Sequence, residues 1–209
     1  MRIFLCLLWL PAAAAGLYAM AIYETTAGDS GKTPLRWPAA TGVRRDMSHA
    51  TLLMFAHPRC PCTRASVEEL NRLLTRCGRE VTPHILFFTP ENAGADWTQT
   101  ELWRSAQAIP GVIVENDPDG KIAKQFGAET SGYVVLYDSQ GNLLYQGGIT
   151  GGRGHAGDNL GESAIISLLS GGQPAAKNAP VFGCSLLNPE RASQPEITTG
   201  FPSSISCTK

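Results

Sequence analysis

The chain lacks an excess of charge of either sign. Seventeen Lys and Arg stand against 18 Asp and Glu, a formal net charge of -1. Nothing in that balance recruits nucleic acid or an anionic membrane surface. Cysteine is too scarce for a disulfide framework: six in 209 residues cannot staple a fold of this length. Six is still more than a core needs, which points to redox chemistry or metal. Internal repeats and a second core are missing too, which excludes a solenoid or a two-domain chain. With 43% hydrophobic and 17% charged residues, one globular domain with extensions is expected, and it can stand without disulfides.

Strongly polar residues are absent between Ile3 and Tyr23. A membrane span needs about 20 apolar residues, which this run supplies. Ala19-Met20-Ala21 would alternatively serve as a signal cleavage site. Both readings export the domain, with 1–23 as a signal-anchor in the inner membrane, or a cleaved signal, and the rest in the periplasm. Arg2 favours a cytoplasmic start, while Arg36, Arg44 and Arg45 weaken that bias. Residues 24–47, rich in Gly, Pro, Thr and Ala, read as a tether. A domain over 48–170 comes next, then an irregular tail over 171–209 whose chemically distinctive residues are Cys184 and Cys207.

The chain is organised around Thr51-Leu-Leu-Met-Phe-Ala-His-Pro-Arg-Cys60-Pro-Cys62 and the fifteen residues beyond it, to Cys77. The apolar run Thr51 to Ala56 reads as a buried strand. After Cys62 the period changes, and Val67, Leu70, Leu73, Leu74 and Cys77 fall at helical spacing. Two thiols therefore sit where a strand stops and a helix starts. Unpaired backbone N–H groups and the helix dipole stabilise a thiolate there. Pro61 suits a first helical turn. Further along, Val81 to Phe88 and Val112 to Val114 predict strands. Thr98-Gln-Thr-Glu101 predicts a capping box, and 119–126 a helix stopped by Gly127. Tyr133 to Tyr137 and Leu143 to Tyr145 predict a hairpin about Asp138-Ser-Gln-Gly-Asn142, and Asn159 opens a last helix to Leu169. The order β-α-β-α-β-α-β-β-α implies an α/β fold, a central mixed sheet flanked by helices on both faces.

A cysteine pair at a helix start, a βαβ unit, then a hairpin and a final helix resemble the thioredoxin fold over about 48–169. Tyr133-Val-Val-Leu-Tyr-Asp-Ser-Gln-Gly-Asn-Leu-Leu-Tyr145 is similar to the terminal hairpin of periplasmic, membrane-tethered thioredoxins. More narrowly, His57-Pro-Arg-Cys-Pro-Cys62, the glycine-dense 147–159 and Val181-Phe-Gly-Cys184 resemble the RedB proteins of that superfamily. The resemblance implies a thiol–disulfide oxidoreductase acting on protein thiols and disulfides, with no cofactor. There are departures. Thioredoxins carry Cys-x-x-Cys, whereas one residue separates these thiols. Their cis-proline before the hairpin is replaced here by Ser131-Gly132, which would loosen the peptide groove and ease metal access. Peroxiredoxins require a threonine three before the reactive cysteine, and His57 stands there instead.

On this reading Cys60 is the nucleophile and Cys62 resolves the mixed disulfide. A bridge across one residue closes a small ring whose strain would raise its reduction potential. Arg59 and Arg64 either lower the thiol pKa by charge or are solvated surface residues. His57 either packs at the strand end or joins Cys60 and Cys62, with His155 or Cys184, around copper or zinc, as in copper-delivery proteins of this fold. Asn159 is expected to cap its helix, with Arg153 and His155 left open, and Cys77 to be a small buried hydrophobe. Cysteines 60, 62, 77, 184 and 207 are odd in number, so at least one is unpaired. Cys184 lies in an apolar island, Val181-Phe-Gly-Cys-Ser-Leu-Leu187, which is expected to dock on the domain. It either staples the tail to Cys207 or reaches Cys60 and Cys62 as a third thiol.

Overall fold

The computed structural model describes residues 2–94 and 96–187, with the side chains of 2–8 left aside. Helix α1, Arg2–Thr25, precedes the domain. Strand β1, Ala50–Ala56, leads through the cysteine turn into helix α2, Thr63–Cys77, and then into strand β2, Val81–Thr89. Helix α3, Glu101–Gln107, strand β3, Ile113–Pro118, and helix α4, Lys121–Phe126, come next. The hairpin strands β4, Tyr133–Tyr137, and β5, Leu143–Gly147, helix α5, Leu160–Leu169, and a two-residue strand β6, Asn178–Ala179, complete the order. The sheet runs β3-β2-β1-β4-β5-β6. β1 pairs parallel with β2 and β2 with β3, while β4 is antiparallel to both β1 and β5. The sheet is mixed and central, as the alternation of strands and helices predicts.

β1 is apolar throughout because both of its faces are covered. Leu52, Met54 and Ala56 pack with Val67, Leu70 and Leu73 of α2 and with Ala164 and Ile165 of α5. Leu53 and Phe55 face the other way, against Phe126, Tyr133, Val135 and Tyr137. Pro83 is tolerated within an inner strand because β3 begins to pair only at His84. The hairpin closes on Asp138, whose Oδ1 accepts the N–H groups of Gln140 and Asn142, with Gly141 at φ +83°.

The structure differs from the sequence expectations in several places. α3 starts at Glu101 with Thr100 as its cap, the hydroxyl accepting from Trp103 N–H, so the helix opens two residues later than the capping box implies. β3 extends to Pro118, well past Val114, and α4 begins only at Lys121, because Asp117 accepts the Ile122 and Ala123 N–H groups. Residues 24–47 are no free tether. Trp37 donates to Gly141 O and packs edge-on against Phe126 and Tyr137. Thr33 and Val43 are buried, so this segment covers the second face of the sheet. The tail is not wholly irregular either: β6 adds to the edge of β5, and Val181, Phe182 and Leu186 are buried. Residue 207 and its expected pairing lie outside the described residues. In the segment expected to anchor the chain, α1 holds Trp9, Leu10, Leu17, Tyr18 and Met20 exposed. Among the described residues no helix is long and apolar enough to cross a membrane.

Candidate functional site

The end of β1 sets the site. Beyond Ala56 the chain turns, Cys60 N–H donating to His57 O and Thr63 N–H to Cys60 O. α2 then opens at Thr63, with Cys62 as its cap residue in right-handed conformation and no side-chain cap bond. The cysteines thus lie just ahead of the helix, whose first two N–H groups are taken up by the turn itself, Thr63 N–H by Cys60 O and Arg64 N–H by Pro61 O. Cys60 and Cys62 are almost wholly buried, at 3% and 8% exposure. From the far end of the chain the segment after β6 folds back over them. Ser131 N–H donates to Cys184 O, Leu186 N–H to Glu129 O, and Thr130 bridges to Ser185. This docking brings Cys184 Sγ to 2.9 Å from Cys60 Sγ, and the sulfurs of Cys60, Cys62 and Cys184 lie within 4.8 Å of one another.

The three thiols are not equivalent. Hydrogen bonding from the Cys184 thiol holds Cys60 down at about 5, against an ordinary value near 9, and Thr63 and the Cys184 backbone assist. A relay supports it: His57 N–H donates to Ser131 Oγ at 2.7 Å, and Ser131 Oγ and Thr63 Oγ1 are 2.6 Å apart. With Ser131 accepting from His57, its own proton points to Thr63 and the Thr63 proton to the Cys60 sulfur. Donating to Cys60 pushes the Cys184 thiol far up. Burial, and then the negative charge on Cys60, raise Cys62. The pocket thus favours the thiolate at Cys60 and the protonated thiol at Cys62 and Cys184.

Other expected residues take different parts. The His57 ring stacks on Phe88 with centroids 5.8 Å apart, meets Trp97 edge-on, and accepts Arg59 N–H at Nδ1. Burial lowers its pKa, and it packs at the strand end outside the sulfur cluster. Arg59 lies 4.4 Å over the Trp97 ring, and Arg64 pairs with Glu101 on the exposed surface at 3.0 Å. Neither charge figures among the causes of the Cys60 shift. Gly132 adopts φ +91° and donates to Phe55 O, and a Cβ there would meet Ser66 Oγ at 2.7 Å. Glycine is a backbone requirement here, and proline, locked at negative φ, does not fit.

Asn159 caps α5, accepting Glu162 N–H at 2.8 Å. His155 reaches Glu24 at 3.4 Å, away from the sulfurs. Cys77 donates to Leu73 O and is pushed up to about 11 by burial, the behaviour of a packed hydrophobe. Thr63, Ser131 and Arg153 are the site residues that sequence reasoning passes over or leaves open. Arg153 donates to Gly183 O, lies 5.0 Å from the Tyr23 ring, and its charge partly offsets the rise at Cys62 and Cys184. Thr63 had one legible signal, a hydroxyl at the first position of a helix behind two thiols.

Three sulfurs at this spacing could hold a soft monovalent ion such as Cu(I). No fourth ligand of the kind zinc requires stands with them among the described residues. The same three sulfurs can instead exchange disulfides.

No protein-family model matches the chain, and no curated protein matches it. A hypothetical protein from Sinorhizobium meliloti 1021 superposes with TM-score 0.59 at 22% identity, over 76% of this chain and 96% of that one. An uncharacterized conserved protein from Geobacillus kaustophilus superposes with TM-score 0.60 at 20% identity, over 77% and 95%. A secreted Mycobacterium tuberculosis disulfide oxidoreductase homologous to E. coli DsbE superposes at 0.43, with 16% identity over 59% and 82%. The first two show a shared fold. Its order, two parallel strands joined through a helix, then an antiparallel hairpin and a closing helix, is the thioredoxin-like one.

Proposed function

We propose that the chain is a thiol–disulfide oxidoreductase of the cell envelope, acting on protein thiols and disulfides through Cys60. The carrying observation is the Cys60 sulfur set 2.9 Å from Cys184 Sγ, with Cys62 Sγ within 4.8 Å of both, a setting that with Thr63 lowers its pKa to about 5. Disulfide exchange needs a sulfur that is thiolate at working pH and a second thiol beside it, and this pocket supplies both. The test is equilibration of the reduced protein with glutathione redox buffers, counting free thiols. Loss and recovery of two thiols together, abolished in Cys60→Ser, is the expected result. Independent one-thiol oxidation would defeat the proposal.

The envelope location rests on the apolar run from Ile3 to Tyr23 and on the exposed apolar side chains of α1. A periplasmic domain, with residues 1–23 either kept as an inner-membrane anchor in the manner of RedB proteins or cleaved as a signal, is part of the same proposal. A reporter fused after Lys209 should be active only outside the cytoplasm. A second reading, copper handling, is favoured by the spacing of the three sulfurs. Metal analysis of protein purified reduced without oxygen separates the two. Stoichiometric copper would favour the binder, and metal-free thiols that oxidise reversibly the enzyme.

A further inference from the structure

We infer that the redox partner of Cys60 is Cys184 rather than Cys62, and that polypeptide thiols meet this pair at Cys184 through the cleft beside Tyr23 and Arg153. The inference rests on the oxidoreductase reading and specifies which sulfurs carry it.

The geometry separates the two candidate partners. Cys184 Sγ stands 2.9 Å from Cys60 Sγ, within hydrogen-bonding reach of it. Cys60 and Cys62 are each shut away from solvent, whereas Cys184 is half-buried. A cleft of about 270 Å³ opens onto Cys184, walled by Tyr23, Asp29, Glu129, Thr130 and Arg153, and Cys60 and Cys62 are not among its walls. An attacking thiolate must approach the sulfur it attacks, and Cys184 is the one within reach. Arg153 adds a cation to that wall, and its buried Nε has no hydrogen-bond partner among the described residues. A cation on that wall suits an incoming thiolate or the carbonyl of an extended peptide.

In the oxidised protein Cys60 and Cys184 are joined by a disulfide. A substrate thiolate attacks Cys184 Sγ, the Cys60–Cys184 bond breaks, and Cys60 departs as a thiolate into the donors from Thr63 and the Cys184 backbone. The substrate's second thiolate then attacks the substrate sulfur held on Cys184. The substrate disulfide forms, Cys184 leaves and takes up a proton, and the second substrate proton goes to solvent. Two electrons pass from the substrate dithiol to the Cys60–Cys184 pair. A small-molecule or protein disulfide restores the oxidised pair by the reverse steps. Cys62 stays protonated throughout.

The test uses the full chain and its Cys62→Ser and Cys184→Ser variants, oxidised by glutathione disulfide and digested without reduction. Exchange is monitored with a two-cysteine peptide and with dithiothreitol. The expected result is a Cys60–Cys184 bridge in the parent and in Cys62→Ser, both exchanging with the peptide. Cys184→Ser, shown folded by circular dichroism, should lose at least tenfold in peptide exchange. Arg153→Ala should slow the peptide more than dithiothreitol. A Cys60–Cys62 bridge in the parent, with exchange kept in Cys184→Ser, would overturn the inference and leave the oxidoreductase reading standing. Equal slowing of both reductants by Arg153→Ala would overturn the cleft. No reversible intramolecular bridge in any of the three proteins would overturn both readings.

Discussion

Thr63 ties the backbone turn to the chemistry: its N–H and its hydroxyl both support the Cys60 thiolate, and Ser131 holds that hydroxyl in place. Hydrogen bonds to a charged group contribute about 1.5–3 kcal/mol, and about 1.4 kcal/mol moves a pKa by one unit. Thr63→Val, which keeps the shape and removes the hydroxyl, should therefore raise Cys60 by about 1–2 units in an alkylation-rate profile. An unchanged profile would remove the relay from the account. The same thiolate links stability to pH. Cys60 is depressed in the folded protein, so its contribution is fully present above the ordinary thiol value near 9 and is lost as pH falls through about 5. The gap in unfolding free energy between the reduced parent and Cys60→Ala should grow from pH 5 to 8 in urea titrations. A gap independent of pH would contradict this. Cys62 and Cys184, both raised, act with opposite sign: their contributions are present below the ordinary thiol value and fade as pH climbs above it.

At the level of elements, the strands and helices were legible where one physical signal dominated. The buried run of β1, the helical spacing of α2 and the Asn159 cap of α5 each needed only local sequence. Boundaries failed where a side chain outside the element set them, as when Asp117, still in β3, accepts first-turn N–H groups of α4. Gly132 shows a similar limit. Its place before the hairpin is readable from the family pattern, but its positive φ and its bond to Phe55 arise only on assembly. Gly132→Ala should cost about 1–3 kcal/mol for backbone strain alone, read from the urea midpoint. A cost within experimental error would show that the loop relaxes freely.

For the whole molecule, the two ends of the chain close the site. The stretch before the domain covers the sheet through Thr33, Trp37 and Val43, and the stretch after it buries Val181, Phe182 and Leu186 while delivering Cys184. Composition alone reads both as linker and tail, because Gly, Pro and Ser content reports local stiffness and not what a distant apolar side chain will find. The apolar island around Cys184 was the one signal of docking. Burying three such side chains is worth about 5–9 kcal/mol, comparable with the whole stability of a domain. A chain ending at Gln173 should accordingly be at or below the margin of folding in a thermal melt. A melt like that of the full chain would mean the docked segment contributes nothing.

The acidity of Cys60 carries the functional account, and it is read most directly from thiolate ultraviolet absorbance against pH in the reduced, chelator-treated protein. One sulfur should ionise with a midpoint near 5 in the parent and in Cys62→Ser, and that step should vanish in Cys60→Ser. All accessible thiols ionising together near 9, with no step lost in Cys60→Ser, would contradict it.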